Sequence, residues 1–362
     1  MRTKLIIAAI LVQFLVLGWM AGQREWILRT GPSVWLRTAP IDPRDLFRGD
    51  YVTLGYEIST IPAGKFGPGL KKHLEDLVKS NDGSHSWQGD EIVLYSGLQV
   101  DPVTGIAEIT TADLTPPPDG LFIKGRVRIN GYGSLAPLMR VAYGIDAYYV
   151  QQGKGKALER RSPDGAPAGV QMPMEMRVAL GSNGTAVLKG HRWNALGLGV
   201  QIERRKTVDS GLPPGSKDAR KPIRKIIRVT LYNASTEPLA VVLPPDLRTL
   251  RLQNLDGGNG PGINVGVEQA DLTPITDADV RLLQPGASTS AEIDPDCAEW
   301  FVKSAVDGPP HPLGHADGHY QNYRIVYEPP APDVCRGLKE GGRIAPGALT
   351  GRMFGSYELR QD

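Results

Sequence analysis

The residues best suited to chemistry lie in one short segment, Arg37 to Ile58, which we call the motif segment. Guanidinium groups present N–H donors in a rigid fork, so arginines in such a segment could bind an anionic or carbohydrate group. The structural alternative is that aspartates cap turns while arginines pair with them and hold the loop in place. A binding role would show at Arg44, Arg48 and Asp50. The candidate binding residues are Arg37, Asp42, Arg44, Asp45, Arg48, Asp50, Tyr51 and Tyr56.

A second candidate site lies near the C-terminal end, where three of the six histidines fall close together: His311, His315 and His319. Imidazole groups, together with Asp317 between them, suit a divalent transition metal such as zinc, nickel or copper. The alternative is a set of solvent-exposed loop histidines without a ligand. A metal of this kind is the one cofactor that the sequence suggests.

Cys297 and Cys335 are the two cysteines of the chain, and they bracket the histidine region. In an oxidising compartment we expect them to form a disulfide, which would stabilise the fold by about 3–4 kcal/mol. The alternative is that one or both bind the same metal as the histidines.

An enzymatic interpretation finds little support. Arg48 to Val52 is similar to a conserved box of signal peptidases, which pair a serine with a lysine. The Ser-x-x-Pro element that carries their nucleophile is missing upstream of this box, since Ser33 is followed by Val34, Trp35 and Leu36. An envelope hydrolase acting on peptide or glycan is therefore kept as an alternative to a non-enzymatic role.

The composition excludes one class of partner and indicates a fold class. The chain carries 41 basic and 39 acidic side chains, so there is no charge excess to bind nucleic acid. Its 43 glycines and 30 prolines indicate many turns and short elements, which is typical of a β-rich chain. A length of 362 residues is enough for two domains.

The N-terminus indicates the compartment. Arg2 and Lys4 precede an uncharged run from Leu5 to Ala21. A helix of this run spans about 26 Å, close to the roughly 30 Å of a hydrocarbon core. We expect an uncleaved single-pass anchor in the inner membrane, with the bulk of the protein in the periplasm because the preceding charges keep the N-terminus in the cytoplasm. The alternatives are a cleaved signal peptide and a buried core helix.

Local patterns predict the elements that position these residues. Residues 51–58 alternate between apolar and polar side chains, which predicts a half-buried strand. Residues 69–80 place leucines at helical spacing and predict a one-faced helix. Residues 176–190 predict a hairpin with its turn at 181–184. Residues 26–36 are predicted to be an extended entry to the β structure.

Gly49 to Tyr56 reads GDYVTLGY, which fits every fixed position of the motif that names the GDYXXLXY family of bacterial membrane-anchored proteins. The resemblance implies a small envelope protein without a settled biochemical activity, often encoded beside a polytopic membrane protein. It covers about residues 25–206. Its further blocks are Arg37, Asp42–Asp45, Gly89–Asp90, Phe122–Val127, Tyr143–Ile145, Tyr148–Val150, Gly153–Gly155 and Met176–Gly190.

The predicted fold class is mainly β. We expect an anchor or signal (residues 1–23), a barrel-like antiparallel β module with one helix (24–206), a linker (207–222) and an immunoglobulin-like β-sandwich (223–362). The leading hypothesis for function is an envelope adaptor or accessory subunit of a multispanning membrane protein. The alternatives are the hydrolase and a metal-binding periplasmic module.

Overall fold

A computed structural model describes residues 2–39, 51–80, 87–131, 138–149, 165–206, 223–254, 274–297, 299–303, 310–315 and 323–353. Strands account for 46% and helices for 24% of the structure, which confirms the mainly β class. The chain forms two compact units. The first unit comprises residues 1–159 and 174–192, and the second comprises 160–173 and 193–362.

The N-terminal helix α1 (Arg2–Thr30) is longer than the apolar run that predicts it. It is the one described helix that is long and apolar enough to cross a membrane, and its most apolar stretch is not buried. Residues 26–30, predicted to be extended, continue the helix instead. The reason is tertiary: the Ile27 side chain is buried and lies beside Gly181, about 150 residues further along the chain.

Strands form most of both units. In chain order they are β1 (Ser33–Ala39), β2 (Tyr51–Thr53), β3 (Gly55–Tyr56), β4 (Thr60–Pro62), β5 (Trp87–Val100), β6 (Ala107–Asp113), β7 (Leu121–Gly131), β8 (Leu138–Arg140), β9 (Ala147–Tyr149), β10 (Val170–Gln171), β11 (Met174–Leu180), β12 (Ala186–Trp193), β13 (Leu196–Lys206), β14 (Ile223–Asn233), β15 (Leu239–Val242), β16 (Leu250–Asn254), β17 (Val280–Leu283), β18 (Ser288–Ile293), β19 (Phe301–Lys303), β20 (Pro310–Pro312), β21 (Tyr323–Tyr327) and β22 (Leu349–Arg352).

In the first unit, one sheet has the strand order β12-β11-β1-β3 and another has the order β6-β5-β7. β1 pairs antiparallel with β11 and β3, and β5 pairs antiparallel with β6 and β7. Single contacts join the two sheets: Trp35 bridges to Ile106, and the Lys124 N–H donates to the Gly184 carbonyl at 2.9 Å. The first unit is thus built from small antiparallel sheets, and its barrel-like closure stays a prediction.

The predicted hairpin and helix are both present. β11 and β12 meet at a turn in which Gly184 has a φ of +78°, a conformation that favours glycine. Helix α2 (Pro68–Ser80) buries Leu70 and Leu74, as its apolar spacing predicts. The Asp113 carboxylate accepts hydrogen bonds from the first backbone N–H groups of α2, at 2.7 Å from Leu70 N, and so caps its N-terminus.

The second unit contains the sheet β10-β13-β14-β18 and the sheet β16-β21-β22. Side chains from both sheets meet in one apolar core that includes Leu198, Ile227, Leu252 and Ile325. Two sheets around a shared core are the general feature that a β-sandwich requires. The immunoglobulin-like connectivity stays a prediction.

The division between the units differs from the predicted one. Residues 207–222 lie outside the described residues, but the strands on either side of them pair with each other along their whole length, from Leu196 with Asn233 to Lys206 with Ile223. This segment therefore connects two neighbouring strands of one sheet. The boundary between the units falls earlier, between Arg192 and Trp193.

Candidate functional site

The C-terminal half of the motif segment is built into a ladder with a second block of family-like residues. β2 pairs antiparallel with β9, so that Tyr51 lies opposite Tyr149 and Val52 opposite Tyr148. Beyond the ladder, the buried Leu54 donates its N–H to the Asp146 carbonyl at 2.7 Å. The motif and the YGIDAYY block, separated by about ninety residues of chain, are thus neighbours in space.

Tyr56, the last residue of the motif, is 2% exposed, and its hydroxyl donates to the Ile145 carbonyl at 2.9 Å. Burial raises the pKa of this hydroxyl strongly, and the nearby carboxylate of Asp146 raises the pKa further. Tyr56 is therefore a neutral hydrogen-bond donor that holds the chain at Ile145. It is not placed to act as a base.

Tyr143 makes the converse contact. Its buried hydroxyl donates to the Ile58 carbonyl at 3.0 Å, and burial raises the pKa of this hydroxyl too. Since its single proton is used there, the hydroxyl of the buried Ser96, 3.0 Å away, donates to the Tyr143 oxygen. The Tyr143 ring fits because residue 125 is glycine: a β-carbon at Gly125 would lie 2.8 Å from the ring and 2.3 Å from the Val141 side chain.

Arg37 lies at the centre of a network of charged side chains. Its guanidinium is 3.3 Å from a carboxylate oxygen of Glu57 and 3.3 Å from one of Glu108, and its side chain is 14% exposed. Burial by itself lowers the pKa of Arg37, but Glu57, Glu108 and Glu175 outweigh burial, so the net pKa is raised and the group stays charged. Its Nε atom is buried without a hydrogen-bond partner.

Glu175 extends this network on the neighbouring strand, directly opposite Arg37. It is 1% exposed and accepts a hydrogen bond from Arg192 Nε at 2.5 Å. Arg192 also donates to the Thr104 carbonyl at 2.9 Å, and its guanidinium lies 4.1 Å from the centre of the Trp35 ring. We call Arg37, Glu57, Glu108, Glu175 and Arg192 the charge network.

The charge network, as far as the structure describes it, has a structural role. It joins four strands or turns around β1, and each of its charges has an oppositely charged neighbour, as buried charges require. Sequence reasoning found Arg37 but missed Glu57, Glu108, Glu175 and Arg192. Glu57 follows the motif directly and could have been included. The other three are revealed only by strand register.

The remaining motif residues are placed only in part. Tyr51 belongs to β2, and nothing further is described of its side chain. The proposed binding positions Asp42, Arg44, Asp45, Arg48 and Asp50 lie outside the described residues. Their binding role stays a prediction.

The predicted disulfide is not present, because both thiols are free. The Cys297 thiol contacts the Glu299 carboxylate and packs at the edge of the large core, whereas Cys335 is buried in a separate apolar cluster with Val242 and Ile344. Burial raises the pKa of both thiols. The two sulfur atoms are held in different packing environments.

The histidine cluster is described only in part. His311 is exposed on β20, His315 ends a short turn, and His319 lies outside the described residues. Among the side chains that the structure describes, no three histidine, cysteine, aspartate or glutamate residues are grouped to hold a metal ion. The metal site therefore stays a prediction.

A family model described as GDYXXLXY protein matches residues 13–190. The matched range contains the C-terminal part of the apolar helix, the motif segment, the tyrosine contacts and most of the β11–β12 hairpin, and it ends two residues before the end of the first unit. No curated protein and no solved structure matches the chain.

Proposed function

Because residues 13–190 belong to the GDYXXLXY protein family, we propose that this protein is a single-pass, membrane-anchored adaptor. In this proposal α1 crosses the inner membrane, the β structure of both units lies on the periplasmic side, and the β structure of the first unit contacts a multispanning membrane protein. The family match and the apolar helix fit a membrane-anchored protein. The partner and the adaptor role are the parts that need testing.

The observation that carries the proposal is the junction between α1 and the first unit. The helix runs unbroken through residues 22–30, and its last turn is buried at Ile27. A β-carbon at Gly31 would lie 2.5 Å from the Leu180 carbonyl oxygen, so the chain passes tightly into the β structure. The first unit is thus held beside the anchor without a flexible linker, at the height where another membrane protein would meet it.

The described residues of the motif segment have structural contacts. Tyr56 and Tyr143 donate to backbone carbonyls, and Arg37 is paired with glutamates. These side chains are occupied in holding the first unit together. In this proposal the contact with a partner is made by other residues of the motif segment, of which Arg44, Arg48 and Asp50 are the predicted positions.

Co-purification tests the adaptor role. The full-length chain is extracted in a mild detergent, and a multispanning membrane protein is sought by mass spectrometry of the purified complex. We expect Arg48→Ala and Asp50→Ala to lower its recovery, by roughly ten-fold for a loss of about 1.4 kcal/mol in binding. Lys71→Ala and Asp76→Ala, which remove the same charges from the exposed face of α2, should leave recovery unchanged. Equal recovery in all four variants would contradict the proposal.

The orientation is tested separately. Arg2 and Lys4 favour a cytoplasmic N-terminus, while Arg24 and Arg29 follow the apolar run and Arg29 pairs with Glu25 at 2.6 Å. A reporter that is active only in the periplasm, fused after Asp362, should be active. Activity of a reporter that works only in the cytoplasm would overturn the proposed topology.

A further inference from the structure

The first unit presents a half-buried aromatic and basic patch close to the end of α1. Ile27 packs beside the β11–β12 turn, since a β-carbon at Gly181 would lie 3.0 Å from its side chain. Gly184 closes that turn by donating its N–H to the Gly181 carbonyl at 2.9 Å. Phe122 lies against the same turn: a β-carbon at Gly184 would lie 2.7 Å from its ring. One tight turn therefore separates Phe122 from the anchor helix.

Three side chains form this surface, which we call the outer patch: Tyr95, Phe122 and Lys124. The rings of Tyr95 and Phe122 meet edge to face with their centres 5.9 Å apart. Phe122 and Lys124 share one face of β7 because side chains two apart on a strand point the same way, and Ile123 between them is buried in the core. The outer patch thus faces away from the core of the unit.

The length of the anchor sets the height of this patch. A hydrocarbon core takes about 20 helical residues, so a span that starts at Leu5 reaches Arg24. Trp26 and Ile27 then lie about 3–5 Å beyond the hydrocarbon edge, inside a headgroup layer about 5–7 Å deep. Trp26 is 69% exposed, as expected of a residue that meets lipid. The turn that contacts Ile27 is at the same height.

We propose that the outer patch rests on the phospholipid headgroups of the bilayer that holds α1. Trp26 and Phe122 would then form two separate contacts with the membrane, which together fix the tilt of the first unit. Aromatic rings and lysine stems suit this layer because each has an apolar body and a polar or charged end. One tight turn separates the patch from the end of the anchor, so the lipid around the anchor is the occupant that lies closest to it.

The charges near the patch are compatible with a lipid surface. The basic residues at the end of α1 and on β7 are Arg24, Arg29, Lys124, Arg126 and Arg128. The acidic residues beside them are Glu25, which pairs with Arg29, Glu91, which pairs with Arg126, and Asp119 ahead of β7. Five basic and three acidic groups leave two net positive charges. This small excess favours anionic headgroups weakly, and the aromatic rings supply the main contact.

Photo-crosslinking tests the proposal on the full-length chain. Benzoylphenylalanine replaces Phe122, and the purified protein is reconstituted into vesicles of equal parts phosphatidylcholine and phosphatidylglycerol and illuminated. Trp26 and Tyr149 carry the same replacement in two further variants. Tyr149 is the control because it is 77% exposed and lies far from the anchor. Its strand β9 pairs with β2, and the neighbouring β3 pairs with the end of β1 that is about 20 Å from α1. Lipid adducts are measured by mass spectrometry.

We expect adducts at residue 122 in a yield comparable to that at residue 26 and several-fold above that at residue 149. A yield at 122 no higher than that at 149 would overturn the outer patch as a lipid contact. The inference rests on the membrane anchoring proposed above. The experiment distinguishes failure of the outer patch as a lipid contact from failure of the anchor. Adducts at 26 without adducts at 122 reject the patch alone, whereas their absence at 26 rejects the anchor.

A second measurement leaves Phe122 in place, in case its replacement prevents folding. The acetylation rate of Lys124 is compared with that of Lys189, which is exposed on β12 further from the turn. The ratio of the two rates should fall several-fold when the protein moves from detergent micelles into vesicles. An unchanged ratio would overturn the proposal.

Discussion

Tyr56 and Tyr143 make reciprocal hydrogen bonds: each donates to a backbone carbonyl that lies two residues after the other tyrosine. The Tyr56 hydroxyl donates to the Ile145 carbonyl at 2.9 Å, and the Tyr143 hydroxyl donates to the Ile58 carbonyl at 3.0 Å. Both rings are buried, so both bonds are shielded from water. This reciprocal contact, which we call the tyrosine clamp, gives the last residue of the family motif a structural role.

Removing either hydroxyl of the tyrosine clamp should loosen the β2–β9 ladder. Tyr56→Phe and Tyr143→Phe each leave a buried carbonyl without its donor, at a cost of about 1–3 kcal/mol. Hydrogen exchange of residues 52–58 is the suitable measurement, because it reports local opening in a protein of two units. Exchange should rise roughly five-fold or more. Tyr149→Phe serves as the exposed control, and unchanged protection in both clamp variants would contradict the role.

Gly125→Ala should destabilise the first unit because its methyl group has no space. It would lie 2.3 Å from the Val141 side chain and 2.8 Å from the Tyr143 ring. We expect a loss of about 1–3 kcal/mol in the free energy of unfolding, measured by urea denaturation. The matched control is Gly190→Ala, where no atom lies within 4 Å of the added carbon. Equal effects of the two substitutions would show that residue 125 is not closely packed.

Glu175→Gln tests the charge network. The substitution leaves Arg192 without its carboxylate partner, and breaking a buried pair is costly. Arg192 is 39% exposed, which screens the lost interaction, so we expect a loss of about 1–3 kcal/mol. Unfolding followed by tryptophan fluorescence is informative because Arg192 stacks on Trp35. Glu91→Gln, in an exposed pair with Arg126, should change stability by less than about 0.5 kcal/mol.

Asp101 makes the stability of the first unit depend on acid pH. Hydrogen bonds from the backbone N–H groups of Thr104 and Val103 lower its pKa below the ordinary value. Its contribution is therefore present above about pH 4, the unfolded pKa, and is lost as the pH falls through the lower folded pKa. In Asp101→Asn the midpoint of thermal unfolding should decrease less steeply than in the wild type as the pH is lowered below about 4. Asp76→Asn on α2 is the control, and identical acid profiles of wild type and Asp101→Asn would refute the role.

Both thiols should be available once the protein is unfolded. Cys297 and Cys335 are free in the structure, and burial raises the pKa of each thiol. Denaturation with an alkylating reagent but no reductant should add two labels to the intact mass. In the folded protein at neutral pH, the buried Cys335 should react more slowly than Cys297. A mass without labels before reduction would indicate the disulfide that the structure does not contain.

Local patterns predicted several elements well. Leucines at helical spacing predicted α2, and Leu70 and Leu74 are indeed its buried residues. The Gly-Ser-Asn-Gly sequence predicted the turn between β11 and β12, where Gly184 has a positive φ. Both signals depend on neighbours a few residues apart, so the sequence displays them directly.

Long-range pairing accounts for what sequence reasoning missed. Arg37 was selected for its charge, but its partner Glu108 and its neighbour Glu175 are distant in the chain. Residues 207–222 have the composition of a linker, yet β13 and β14 pair across them. The composition of a segment indicates a loop, but it does not indicate whether the strands on either side of that segment pair with each other.

The sequence by itself determined an apolar N-terminal helix, a mainly β chain and the resemblance of residues 13–190 to the GDYXXLXY protein family, which includes the motif Gly49 to Tyr56. These features are encoded in runs, alternations and a contiguous motif. The tertiary structure alone decided that α1 continues to Thr30, that the two thiols stay apart, and that Tyr56 and Tyr143 clamp each other. The physical reason is that these outcomes depend on burial and strand register, which arise only when distant segments pack together.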